Sequence, residues 1–174
     1  MLDRYTWRHN SVLNGIISLL KCNLSPDFSL YSDLPGMMQG ASTIPLDILT
    51  TPLKPDIVIR DHNAKHLYIL ELTVCFELNQ EAAHERKEDK YRTLVSDIKG
   101  EGYKVFLYCV EIGSRGHITE DNIKRLRSLF HKLKMSITVS KLRSTLGKIA
   151  IVASYVIYHS KYDQNWSDPS YVKF

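Results

Sequence analysis

The chain is short of cysteine, of proline outside one segment, and of long apolar runs, and each shortage excludes something. Its three cysteines, Cys22, Cys75 and Cys109, are odd in number and widely spaced. That pattern excludes a disulfide framework and a paired-cysteine metal knuckle, and it points to a reducing compartment, nucleus or cytoplasm. The most apolar stretch, Ile149 to Tyr158, is about half of the ~20 residues a membrane span needs, so a core helix and no membrane partner are expected. The opening Met1-Leu-Asp-Arg-Tyr-Thr-Trp has no basic stretch followed by an apolar core, so it does not read as a secretory signal, and a soluble protein is expected. Internal repeats and low-complexity segments are missing as well.

What is present fits one compact domain. A chain of 174 residues with 44% hydrophobic content is long enough to bury roughly 70% of the surface its unfolded form exposes. Val12, Leu13, Ile16, Ile17 and Leu20 recur at spacings of three and four, which predicts an amphipathic helix over Thr6 to Leu20 with His9 on the same stripe. Five of the six prolines fall between Ser25 and Pro55, which predicts loops with one short strand at Phe28 to Tyr31. Ile57 to Arg60 and His66 to Val74 are β-branched and apolar, with a turn-like Asp61 to Lys65 between them, and read as a hairpin. A helix is expected over Asn79 to Lys99, closed by Gly100 and Gly102, and a buried strand over Tyr103 to Val110. Thr119 should cap a helix whose inner stripe is Ile123, Leu126, Leu129, Phe130 and Leu133, and a last helix should run from about Ser140 to Tyr158. The order predicts an α/β (α+β) fold over residues 1–160, a mixed central sheet flanked by helices with two extra C-terminal helices. A polar and aromatic tail, 161–174, is expected to be ordered in part at best.

Two acids stand out. A turn centred between Asn63 and Ala64 sets Asp56 opposite Glu71, with Cβ atoms about 5 Å apart. Two carboxylates that close repel unless a cation or a shared proton relieves them. Hard divalent ions such as Mg²⁺ take one or two carboxylates together with water and substrate phosphate. Asp56 could instead cap its strand and Glu71 pair with a surface lysine. Against that, Glu71 interrupts Leu67-Tyr-Ile-Leu-Glu-Leu-Thr-Val74, where an unpaired charge is costly.

Lys54-Pro-Asp56, fourteen intervening residues and Glu71-Leu-Thr73 resemble the PD-(D/E)XK nuclease signature. With Arg8-His-Asn10, Lys87-Glu-Asp-Lys-Tyr91 and Val110-Glu-Ile-Gly-Ser-Arg-Gly116, the chain resembles the restriction-like endonuclease domain of site-specific non-LTR retrotransposons, over roughly residues 4 to 135. The resemblance implies a restriction-endonuclease-like core, a Mg²⁺ ion for which Mn²⁺ can substitute, DNA as partner, and hydrolysis of a phosphodiester. It also implies a piece of a larger polyprotein that carries a reverse transcriptase. Alternatives are an inactive DNA-binding module that keeps the fold, and a nuclease selective for branched DNA.

One departure is Thr73, which stands where the pattern has a lysine. Lys90 and Lys87 share a helix edge that leads to Leu94, so the missing cation is expected from that helix, Lys90 slightly ahead of Lys87. Arg8 and His9 are expected at phosphate or at the active site, although a histidine on an inner helix face is more often simply packed. From Arg115 to Lys148 nine Lys and Arg face two acids, an excess of +7 in a chain of net +4. Arg115, Lys124, Arg125, Arg127, Lys132 and Lys134 are the expected DNA contacts, with an ordinary solvated helix surface as the alternative.

Overall fold

The computed structural model describes residues 2–38, 40–169 and 172. The elements run α1 (Leu2–Lys21), β1 (Phe28–Ser32), β2 (Ile57–Asp61), β3 (His66–Cys75), a 3₁₀ turn (Glu77–Asn79), α2 (Gln80–Gly100), β4 (Lys104–Gly113), α3 (Glu120–Lys132) and α4 (Val139–His159). The sheet order is β1-β2-β3-β4; the first three strands are antiparallel and β4 lies parallel to β3. That single parallel pair needs a crossover, and α2 supplies it. The fold is a four-stranded mixed sheet flanked by helices, as the order of elements predicts.

Alternation along the strands assigns the two faces. Ile57, Ile59, Tyr68, Leu70, Leu72, Val110 and Ile112 bury against the layer that contains α1, α3 and α4. Val58, Leu67, Ile69 and Val105 bury against Tyr91, Leu94 and Ile98 of α2. A residue at an odd position of β3 therefore faces α2, and Glu71 and Thr73 follow Leu67 and Ile69 onto that side. Thr119 caps α3 by accepting from the Asn122 N–H, and Thr138 does the same for α4 through Lys141.

The β2–β3 register pairs Ile57 with Leu70 and Asp61 with His66, so continuing it by one residue sets Asp56 against Glu71. The proline-rich segment before β2 is loop, and it anchors that strand's start. Ser32 Oγ donates to the Asp56 carbonyl at 2.8 Å, the Asp33 N–H donates to the same oxygen at 3.1 Å, and Thr43 Oγ1 donates to the Pro55 carbonyl at 2.8 Å. Gly116, at φ +85°, meets Gly147 of α4, and a Cβ on Gly147 would come within 2.7 Å of the Gly116 carbonyl oxygen. The turn after β4 can therefore seat on α4 only with glycine at both places.

The start of the C-terminal segment is more engaged than its composition implies. Trp166 meets Trp7 edge-on at 5.8 Å, and the Arg4 guanidinium lies 5.0 Å over the Trp166 ring. Burying two indoles outweighs the polarity of their neighbours. The remainder of that tail, Val172 apart, falls outside the described residues. Among the described residues no helix is long and apolar enough to cross a membrane.

Candidate active site

Asp56 and Glu71 are both buried, 8% and 2% exposed. Asp56 Oδ2 accepts the Leu72 N–H at 2.7 Å, and Glu71 Oε2 accepts the Asp56 N–H at 3.1 Å. The two acids thus hold each other's strands, each carboxylate bonded to backbone across the ladder. Two such charges about 5 Å apart still repel by roughly 3 kcal/mol at an effective dielectric of about 20. Burial pushes the Glu71 carboxyl above its usual range, Asp56 adds to the rise, and Lys87 pulls the other way. Tyr91, fully buried beside this acid, is also pushed upward, by burial first and by Glu71 next, and its hydroxyl donates to the Lys54 carbonyl at 3.3 Å.

Cations from two helices answer the negative charge. Lys87 Nζ of α2 bonds Glu71 Oε1 directly, while Lys90 Nζ stands 3.9 Å from the same oxygen and donates to Tyr91 Oη at 2.8 Å. The closer lysine is therefore Lys87, the reverse of the order expected from the stripe. One turn nearer the start of α2 brings its ammonium over the acid, whereas Lys90 is drawn to the tyrosine ring. From α1, His9 Nε2 lies 3.3 Å from Asp56 Oδ2 and 3.3 Å from the Leu72 carbonyl, with Nδ1 at 3.1 Å from Asn10 Oδ1. Burial works against a charge on His9, but the bond to Asp56 and its proximity outweigh it, and the net shift is upward. Both ring nitrogens face oxygen, an arrangement that the doubly protonated ring satisfies.

Asp33, just after β1, sits at the rim of this group; burial raises its carboxyl pKa, and it feels Lys54, Asp56, His9 and Lys90. Its position in a Ser-Asp-Leu-Pro turn gave no sign of this, since only the β1–β2 pairing brings it to Asp56. Thr73 Oγ1 is buried with no hydrogen-bond partner, so nothing about it replaces a cation.

A second buried acid lies on the same face of the sheet. Glu111 of β4, 1% exposed, is the register partner of Thr73. His84 Nδ1 is 3.1 Å from its Oε1, Arg125 Nη1 is 3.5 Å from its Oε2, and the Asn122 side chain bonds both its backbone N–H and its carbonyl. Glu111 interrupts Tyr108-Cys-Val-Glu-Ile as Glu71 interrupts β3, so the signal that singles out one acid was present for the other.

The expected DNA contacts differ in their surroundings. Arg8 is buried, donating to Ser154 Oγ at 3.0 Å and to the Val74 carbonyl at 3.1 Å. Arg125 turns inward to Glu111 and His84, and Arg115 pairs with Glu77 at 3.2 Å. Lys124 pairs with Asp121 at 2.9 Å. Arg127 and Lys134 are exposed, and Lys132 lies 4.7 Å over the Phe106 ring. Phe106 is five residues before Glu111, so Lys132 belongs about 17 Å along the strand from the acid end.

Among the described residues, no three His, Cys, Asp or Glu side chains converge as a ready-made metal cage. Asp56 and Glu71 with the Leu72 carbonyl nonetheless suit Mg²⁺, which usually takes one or two carboxylates and keeps several waters. Two buried acids in repulsion are also a donor set that gains from a cation.

No protein-family model matches this chain, and no curated protein does. Among solved structures it is similar to an N-terminal domain of a reptarenavirus L protein, at 14% sequence identity and a TM-score of 0.38, over 83% of this chain and 94% of that one. The functional reading therefore rests on the side chains of the site.

Proposed function

We propose that this chain is a Mg²⁺-dependent DNA endonuclease with a restriction-endonuclease-like core, derived from or part of a non-LTR retrotransposon. The observation that carries the reading is the pair of buried carboxylates, Asp56 and Glu71, meeting across β2 and β3 with Lys87 on one and His9 on the other. Structural ion pairs balance acid with base, whereas this pair sets acid beside acid in a place water barely reaches. A divalent ion held by Asp56 and Glu71, Mg²⁺ or Mn²⁺ in its place, would supply an activated water and neutralise charge on a scissile phosphate.

The chain's own groups divide the remaining work. The Leu72 N–H holds Asp56, and the Asp56 N–H holds Glu71, so neither acid must reorganise when a phosphate arrives. Lys87 stands where the cation missing at Thr73 is needed, and its stem crosses apolar surface to reach the acid. Lys90 backs it from 3.9 Å. His9 lies against Asp56 and helps to hold its carboxylate in place.

A DNA-binding module that has lost its chemistry is the second reading, and Thr73 favours it. A nuclease selective for branched DNA would use the same residues. Nicking of supercoiled plasmid decides the first question. Wild type should nick with Mg²⁺ and stop in EDTA, and Asp56→Ala and Glu71→Ala should each abolish nicking while the circular dichroism stays that of wild type. Equal cleavage by all three proteins at matched purity would overturn the assignment.

A further inference from the structure

The outer face of α4 carries a stripe that the core does not use. Ile151, Tyr155 and Tyr158, followed by Tyr162 just past the helix end, are 48%, 64%, 63% and 84% exposed. Within the helix, spacings of four and three keep Ile151, Tyr155 and Tyr158 within about 60° of one another around the axis. A helix normally turns such a stripe inward, yet the inward face of α4 is already taken by Leu142, Leu146, Ile149, Ala150 and Ala153.

Three features distinguish this stripe from an ordinary packing face. First, three of its four members are tyrosines, broad flat rings with a wet end, rather than leucines. Second, a cation sits on two of the rings, Lys161 Nζ being 4.8 Å from the Tyr158 centroid and 4.7 Å from that of Tyr162, and the His159 ring packs 4.2 Å from Tyr155 and 5.4 Å from Tyr158. Third, Arg8 ties α4 to the end of β3 that carries the candidate active site. Ser154, next to Tyr155, accepts from Arg8, whose other donor bonds the Val74 carbonyl, two residues beyond Leu72. At that same end Phe76 and Tyr5 are both 47% exposed, and each lies under a guanidinium, of Arg115 at 5.2 Å and Arg8 at 5.3 Å.

Exposed rings beside the Lys161 ammonium match the two surfaces of an unpaired nucleic-acid strand, whose bases stack and whose phosphates need positive charge. A duplex keeps its bases stacked inside and offers these rings nothing. The Lys161 ammonium on two of the rings favours a polyanion over a second protein, whose docking is an outcome of the test.

We propose that the tyrosine stripe of α4 is a stacking platform for single-stranded nucleic acid, which feeds an unpaired strand towards Asp56 and Glu71. The platform rests on the nuclease reading for the use made of the strand, but binding can be measured without cleavage. The probes are fluorescein-labelled oligo(dT), oligo(U) and a DNA duplex of equal length, titrated in EDTA with the full chain and read by fluorescence anisotropy. Wild type should bind a single strand more tightly than the duplex. Tyr155→Ala and Tyr158→Ala should each weaken single-strand binding by about 5- to 150-fold and leave the duplex unaffected. Tyr155→Phe and Tyr158→Phe should keep the affinity, whereas the leucine variants, equally apolar but unable to stack, should lose it. Oligo(dT) against oligo(U) then tells DNA from RNA.

Unchanged single-strand affinity in both alanine variants overturns the platform. So does a wild-type dimer, seen by light scattering, that becomes monomeric in those variants, because the stripe is then an interface between copies. Asp56→Ala should bind as wild type does. Plasmid cleavage by wild type with unaltered strand binding in the tyrosine variants sinks the platform alone, and tyrosine-dependent binding without any cleavage sinks the nuclease reading alone.

Discussion

Glu71 and Glu111 lie on neighbouring strands, on the same face of the sheet, equally buried, and their surroundings differ in one respect. Glu111 is met by His84, Arg125 and Asn122 and has no second acid against it. Glu71 has Lys87 and Lys90 but also Asp56 across the ladder, and its carboxyl is pushed upward. A buried carboxylate surrounded by donors closes a structure, and one set beside another carboxylate keeps a repulsion that a divalent cation would relieve. The pair teaches that an acid in an apolar strand marks a constrained place, and that its neighbours decide whether the place is a strut or a site.

The comparison breaks most sharply in stability. Removing the Glu111 carboxylate takes a buried acceptor from His84 and Arg125, so Glu111→Ala should destabilise the fold by about 1–3 kcal/mol, read as a lower denaturation midpoint in urea. Glu71→Ala should cost far less without metal, because Lys87 can swing to solvent and the repulsion with Asp56 disappears. Equal losses in the two variants would erase the distinction between strut and site.

Next is the rate effect of the lysine. Lys87→Ala should slow single-turnover cleavage by about 10²- to 10³-fold, by analogy with the loss of one positioned donor, with a smaller effect for Lys90→Ala and none for the distant Lys99→Ala. DNA affinity should change little in all three. If Lys87→Ala cleaves at the wild-type rate, the cation must come from elsewhere, with His9 next in line.

A smaller effect concerns pH. A carboxyl whose folded pKa is raised favours folding below its unfolded value of about 4.5 and loses that contribution as pH rises through the folded pKa. Metal-free Glu71→Gln should therefore gain on wild type in melting temperature between pH 4 and pH 8, and Mn²⁺ should narrow the gap at pH 8. A difference that runs the opposite way with pH would mean that Lys87 outweighs Asp56 and burial.

The smallest expected effect is on the thiols. Cys22 is exposed, whereas burial pushes Cys109 up to about 12 and raises Cys75 as well. One thiol should thus react quickly with a disulfide reagent at pH 8 and two slowly. A fast second equivalent would show that the acid-lined face of β3 and β4 opens more readily than its packing implies.

Much of the fold was legible because period carries it. The stripe from Val12 to Leu20, the two runs around Asp61 to Lys65 and the Thr119 cap all name their elements locally, and boundaries differ by a few residues where helices continue past their apolar stripe. The opposition of Asp56 and Glu71 was legible too, since a tight turn sets register by counting. Glu111, His84 and Asp33 were not read as members of one region, because strand order, not spacing, makes them neighbours. By itself the chain's sequence determined which residues would be strand, helix and buried acid, for these follow from period and from the cost of a charge in an apolar run. Only the tertiary structure decided that Lys87 lies closer to Glu71 than Lys90 does, and that Arg8 and Arg125 face inward. Those outcomes depend on how α2 and α3 are set against the sheet, and that is chosen by core packing between residues far apart in the chain.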